Sequence, residues 1–307
     1  MAGERSSEKS NEASMAAQPT AAAPIGVFDT GVGGLTILRD LLRELPDERF
    51  IYFGDTGNCP YGVRPDDEIR RLALAIADFL AARRVKLMVV ACNTISVVAR
   101  ADLRNQYPTI PFVVTAPPVK PAAQMTRVGK VGVAATEASA QSDYLRSLIN
   151  EHAQGVEVFA VGCPRLVLLA EAARLDGPDV EETIREDIAP LLAQGIDVLA
   201  LGCTHFPALR PAFERVVGPT VRVIDSGAAI ARQARKKLAE ANLLVSSTGE
   251  SVEAPRLPRP DDEFWRSGAD GAAFDQVASA LLGADVQSRH AEGMILQPSA
   301  VLPSLAR

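Results

Sequence analysis

Long apolar runs are missing from this chain of 307 residues. None approaches the roughly 18 residues needed to cross a bilayer, so no transmembrane helix is expected. The first 23 residues also lack the apolar stretch of a secretory signal, since Glu4, Arg5, Glu8, Lys9 and Glu12 stand among Ser, Ala and Asn. They are expected to form a disordered tail, and the protein to stay in the cytoplasm. Histidine is scarce, with three copies, and the four cysteines (Cys59, Cys92, Cys163 and Cys203) include no CxxC pair. That speaks against a disulfide framework and against zinc, so no metal is expected. A basic excess is absent too. The 32 Lys+Arg face 38 Asp+Glu, which argues against nucleic acid or an anionic membrane as partner.

What is present is an ordinary globular composition, 47% hydrophobic and 23% charged. At roughly 150 residues per domain it allows two domains. Ile25 to Phe28 reads as a strand. A Gly-rich turn, Asp29-Thr30-Gly31-Val32-Gly33-Gly34, follows it, and then Leu35, Leu38, Leu41, Leu42 and Leu45 at helical spacing. Phe50 to Phe53 and Leu87 to Ala91 are further strands. Between them Asp66-Asp67-Glu68 is expected to cap a helix buried through Ile69, Leu72, Ile76 and Leu80. Strands alternating with helices predict an α/β fold with mainly parallel sheets.

The pattern then recurs. Val131-Gly132-Val133 followed by Thr136 echoes Ile25-Gly26-Val27 followed by Thr30. Cys163-Pro164 echoes Cys59-Pro60, and the strand ending at Cys203 echoes the strand ending at Cys92. Chance similarity between βα units is the alternative. The nearly constant offset favours two pseudo-symmetric three-layer αβα domains, with the active site in the cleft between them. The expected division is a tail over 1–23, a first domain over 24–116 plus 225–285, a second over 117–224, and a loose tail over 286–307. The strand Val221 to Ile224 and the helix from Ala228 to about Ala241 are read as a return to the first half. Leu244 to Pro260 is read as a linker, and a short helix is expected from Ala272 to Leu282.

The chemistry centres on Ala91-Cys92-Asn93-Thr94 and Gly202-Cys203-Thr204-His205. Each cysteine sits where a buried parallel strand ends and a helix should begin, the place where open α/β sheets bind ligands. A helix N-terminus favours a thiolate there, and His205 is positioned to assist it. One thiol on each wall of a cleft suits inversion at a carbon stereocentre. One thiolate removes a proton from one face while the opposite thiol delivers a proton to the other. The competing reading is two inert core cysteines.

The Gly-rich turn is a candidate anion cradle, and Asp29 is a candidate proton relay or a helix cap. Pro60-Tyr61-Gly62 is an ordinary turn or a substrate wall, and Glu171 by itself reads as a solvated helix residue. Asp225-Ser226-Gly227 reads as a helix cap, and His152 and His290 as surface residues.

Taken in order, these segments resemble the glutamate racemases of the cofactor-independent aspartate/glutamate racemase superfamily, from about Ile25 to Gly283. The marks are Gly26 to Leu35, Gly54-Asp55-Thr56, Pro60-Tyr61-Gly62, Ala91-Cys92-Asn93-Thr94, Leu201 to His205 and Ile224 to Gly227. The resemblance implies Cys92 and Cys203 as acid/base residues, with Asp29, Glu171 and His205 in support. It implies substrate contacts at Asp29, Thr30, Tyr61, Gly62, Asn93, Thr94, Thr136, Thr204 and His205. It further implies no cofactor, a homodimer, and supply of D-glutamate for peptidoglycan. Thr30 stands where the family commonly has Ser, and Ser139 beside Thr136 offers a second hydroxyl. Aspartate or hydantoin racemase, and a non-catalytic amino-acid-binding protein, are the alternatives.

Overall fold

In the computed structural model, described over residues 19–246 and 256–294, ten strands assemble into separate six- and four-stranded sheets. The strands are β1 (Ile25–Asp29), β2 (Phe50–Gly54), β3 (Leu87–Val90), β4 (Phe112–Val114), β5 (Lys130–Ala135), β6 (Glu157–Gly162), β7 (Val198–Leu201), β8 (Arg222–Ile224), β9 (Glu263–Arg266) and β10 (Arg289–His290). The larger sheet runs β10-β9-β2-β1-β3-β4 and the smaller β6-β5-β7-β8. All pairings are parallel. Within the larger sheet, β2-β1-β3-β4 has the same order as the whole of the smaller one. The repeat suspected from sequence is therefore present in the topology, with β3 and β7 as counterparts.

Helices cover both faces of each sheet, so the central strands are apolar throughout. All of Leu87–Val90 and Val198–Leu201 is buried. On one face of the larger sheet lies the helix Leu35–Glu44, whose Leu35, Leu38, Leu41 and Leu42 pack with Ile230, Ala234 and Leu238 of Gly227–Glu240. On the other lies Asp66–Ala82, through Ile69, Leu72, Ile76 and Leu80. At about 1.5–3 kcal/mol per large apolar side chain removed from water, these stripes are what hold the helices to the sheet.

Several expectations are corrected. Asp66, Asp67 and Glu68 lie inside the first helical turn behind Pro65 and make no side-chain cap. Their charges complement the helix dipole instead. The strand at 222–224 joins β7 in the smaller sheet, and only the following helix returns to the larger one. The Asp225-Ser226-Gly227 cap is as expected, with Asp225 accepting the Gly227 N–H at 2.9 Å. Past the expected linker, β9 and β10 extend the larger sheet. The segment 286–294 is thus no loose tail, since Val286 and Ala291 are buried. Residues 1–18, 247–255 and 295–307 lie outside the described residues, and with them most of the expected N-terminal tail and linker and the end of the expected C-terminal tail. No described helix is long and apolar enough to cross a membrane.

Candidate active site

Each active cysteine candidate owes its place to a strand end. Cys92 follows β3 and N-caps the helix Asn93–Val98, its Sγ accepting the Ile95 N–H at 3.5 Å. Cys203 follows β7, with its Sγ 3.6 Å from His205 Nδ1. Both thiols are 5% exposed, and both line one cleft that is partly open to solvent. Thr30, Tyr61, Gly62, Asn93, Thr94, Thr136, Thr204 and His205 line the same cleft. Asp29 and Glu171 are not on that wall. They stand behind it, bonded to the lining residues Thr204 and His205 respectively.

Asp29 ends β1 and is fully buried. It accepts the Thr30 N–H at 2.6 Å and the Thr204 hydroxyl at 3.0 Å, and it interacts with the Cys92 thiol. Burial raises its carboxyl above the ordinary range, against the opposing charge of His205 and its hydrogen bonds. Cys92 is pushed well up, first by burial and then by the Asp29 charge, which together outweigh the Ile95 N–H. The helix terminus that sequence reasoning credited with making a thiolate is thus overruled, and the resting Cys92 is a thiol.

The other side is a chain of three groups. His205 Nε2 lies 2.6 Å from Glu171 Oε1, while Nδ1 faces Cys203. Burial opposes charging the ring, but its contacts with Cys203, Cys59 and Glu171 prevail and raise its pKa well above the usual value. An imidazolium, which donates from both nitrogens, satisfies both partners. Glu171, which by itself reads as a solvated helix residue, is therefore brought into the site.

The Gly-rich turn holds an anion, but that anion belongs to the protein. The Val32 N–H donates to Glu171 Oε1 at 2.8 Å. A Cβ at Gly31 would stand 1.9 Å from that same oxygen, and one at Gly33 would stand 2.6 Å from His205 Nδ1. These glycines admit Glu171 and His205 to the end of β1. Two expected substrate donors are also already engaged. Asn93 Nδ2 donates to Gly202 O at 2.7 Å, leaving Oδ1 without a partner among the described residues, and Thr204 donates to Asp29.

Matches to known proteins cover most of this framework. The sequence profile of the Asp/Glu/hydantoin racemase family matches residues 25–234. A glutamate racemase of Pseudomonas putida is 44% identical over 268 residues, 87% of this chain and 97% of that one. The chain belongs to the Asp/Glu/hydantoin racemase family.

Two solved racemases share its fold. The glutamate racemase of Francisella tularensis, solved with D-glutamate, superposes with a TM-score of 0.73 at 30% identity, covering 87% of this chain and 96% of that one. The Escherichia coli glutamate racemase, solved with L-glutamate and an activator, gives 0.71 at 32% identity, covering 84% and 94%.

Within this racemase-family site, sequence reasoning missed three supports. Thr36 bonds to both Gly33 O and Thr204 O, at 2.9 and 3.0 Å, tying the Gly-rich turn to the Cys203 segment. Asp55 takes the Tyr61 hydroxyl, along with Asn58 and Ser267. The third is Cys59, whose thiol stands beside His205 and Glu171. Its echo of Cys163 was visible, but nothing local linked it to residues more than a hundred positions away.

Proposed function

We propose that this racemase-family protein interconverts L- and D-glutamate by transferring protons between Cys92, Cys203 and the α-carbon. The reading rests above all on one observation: two thiols at equivalent strand ends line one cleft, each with its own proton-holding partner. For one enantiomer, Asp29 takes the Cys92 proton and the thiolate removes the α-proton. The Cys203 thiol then protonates the opposite face of the carbanion, and the thiolate left behind is paired with the His205 imidazolium. For the other enantiomer the order reverses. Asp29 suits its role because burial raises its carboxyl toward the proton affinity of a thiol, making the exchange less uphill.

The α-proton is far less acidic than either thiol, so fixed dipoles must stabilise the carbanion. The N–H groups of Asn93 and Thr94 open a helix and have no carbonyl one turn back to bond. They are the natural donors to a substrate carboxylate. The unpartnered Asn93 Oδ1 is a natural acceptor for the α-ammonium. Thr94 and Thr136, with hydroxyls 3.5 Å apart, bound the far wall with Tyr61 and Gly62. D-glutamate made this way would serve peptidoglycan synthesis in the cytoplasm. The enzyme would act as a homodimer, twice the 32.6 kDa chain in light scattering.

Specificity is the direct test. With purified protein and no cofactor, the circular dichroism of D- or L-glutamate should decay to zero. D- and L-aspartate should turn over at least about a hundredfold more slowly, the discrimination a misplaced buried carboxylate provides. Equal or faster decay with aspartate would move the assignment to aspartate racemase. No decay with any of the four would leave a binding protein.

A further inference from the structure

Cys59, like Cys163, is a thiol that the racemisation scheme does not use. It precedes Tyr61 in the segment leaving β2, outside the lining of the cleft. Glu171 closes the helix Pro164–Glu171 of the smaller-sheet half, and His205 follows β7. Three separate segments thus converge, and one donor atom from each lies within 4.8 Å of the other two. One sulfur, one imidazole nitrogen and one carboxylate oxygen form a mixed set of the kind a borderline-soft divalent ion prefers. Magnesium and calcium seek oxygen alone.

We propose that Cys59, Glu171 and His205 form a binding site for Zn²⁺ whose occupation switches off proton transfer at Cys203. Tetrahedral zinc with bonds of 2.0–2.3 Å separates its ligand atoms by roughly 3.3–3.7 Å. His205 Nε2 and Glu171 Oε1, 2.6 Å apart, need to open by about 1 Å, and the cysteine sulfur, within 4.8 Å of both, to settle at the same spacing. Both adjustments lie within reach of side-chain rotation. As the ion enters, the Cys59 thiol proton and the proton shared by Nε2 and Glu171 leave to solvent. Three protein ligands leave a fourth position for water.

The consequence follows from the geometry. His205 Nδ1 faces Cys203 Sγ at 3.6 Å, and its imidazolium is the counter-charge of the thiolate left there. A ring drawn toward a metal at Nε2, with Glu171 turned to the same ion, no longer holds Nδ1 against the thiolate that forms at Cys203. Zinc here inhibits without touching either thiol of the cleft. Because His205 and Glu171 are wanted for catalysis, the site is a brake and contributes nothing to turnover.

The effect on racemisation rests on the function proposed above, whereas metal binding does not, so the test reads both. Metal-free protein is titrated with Co²⁺, and the near-ultraviolet thiolate-to-cobalt charge-transfer band is followed in wild type, Cys59→Ser and Cys203→Ser. The band is expected in wild type and in Cys203→Ser, and lost in Cys59→Ser. In parallel, Zn²⁺ inhibition of racemisation, reversible by chelator, should weaken at least about tenfold in Cys59→Ser, as loss of one of three ligands dictates. Two results would overturn the proposal: a band that survives in Cys59→Ser and vanishes in Cys203→Ser, or no band in wild type.

Discussion

Asp29 carries the clearest conflict between stability and function. Its carboxyl is held above the ordinary value of 3.8 because burial penalises the charged form. A carboxyl raised in the folded state imposes no cost below its unfolded pKa. Stability is then lost as pH rises through the folded value. Asp29→Asn, which cannot ionise, should therefore gain stability relative to wild type as pH rises above the ordinary carboxyl value of 3.8 in urea unfolding. Its racemisation should fall by about 10²–10⁴, the usual worth of a positioned proton carrier. A stability difference that does not change with pH would contradict the assignment. At this scale much of the site was legible. Cys92, Cys203 and His205 stand in two short motifs at matching places, so the repeat singled them out. The commitment of Asn93 and Thr204 to protein partners was not legible, because Gly202 and Asp29 accept from them across gaps of more than a hundred residues.

Among elements, the turn after β1 is the most informative. Gly31 is required by what stands opposite it, since a methyl there meets the carboxylate of Glu171. That carboxylate is the free end of a flexible side chain and can swing aside. Gly31→Ala should accordingly fold with little loss, within about 1.5 kcal/mol, while kcat drops roughly 10²-fold as Glu171 leaves His205 and the Val32 N–H. Thermal unfolding measured beside kcat and KM separates the two effects; a matched loss of both would point to misfolding instead. The helices and central strands were legible from leucine spacing and unbroken apolar runs. β9 and β10 were not. In β9 only Phe264 is buried, and β10 is two exposed residues long, so neither has enough alternation to stand out from a loop.

For the whole molecule, two sheets that share a four-strand order meet at one cleft, and contacts far from it tie segments distant in sequence together. Lys86, fully buried, lies 2.5 Å from Glu48 Oε2 and bonds the carbonyls of Ala21 and Leu243, while Glu48 also takes the Val245 N–H. One ion pair thus ties an early segment, the β1–β2 connection and the exit from Gly227–Glu240. Lys86→Met should cost about 3–5 kcal/mol in urea unfolding by stranding a buried carboxylate, and adding Glu48→Gln should recover much of it. Without that recovery, the loss would belong to packing. The pseudo-symmetry itself was legible because residues of one kind recur in one order. The return of the chain was only half legible, since a three-residue strand with one buried residue gives no signal of which sheet it joins.

The central claim is that Cys92 and Cys203 work as a pair on one α-carbon. The most direct test supplies D- and L-glutamate separately in D2O to wild type, Cys92→Ser and Cys203→Ser, with product configuration and α-deuterium followed together. Wild type should place solvent deuterium on the α-carbon of the inverted product from either enantiomer. Each serine variant should lose racemisation by about 10³-fold or more while remaining folded. Racemisation at the wild-type rate in either variant, or inverted product that keeps its original α-proton, would contradict the two-thiol account.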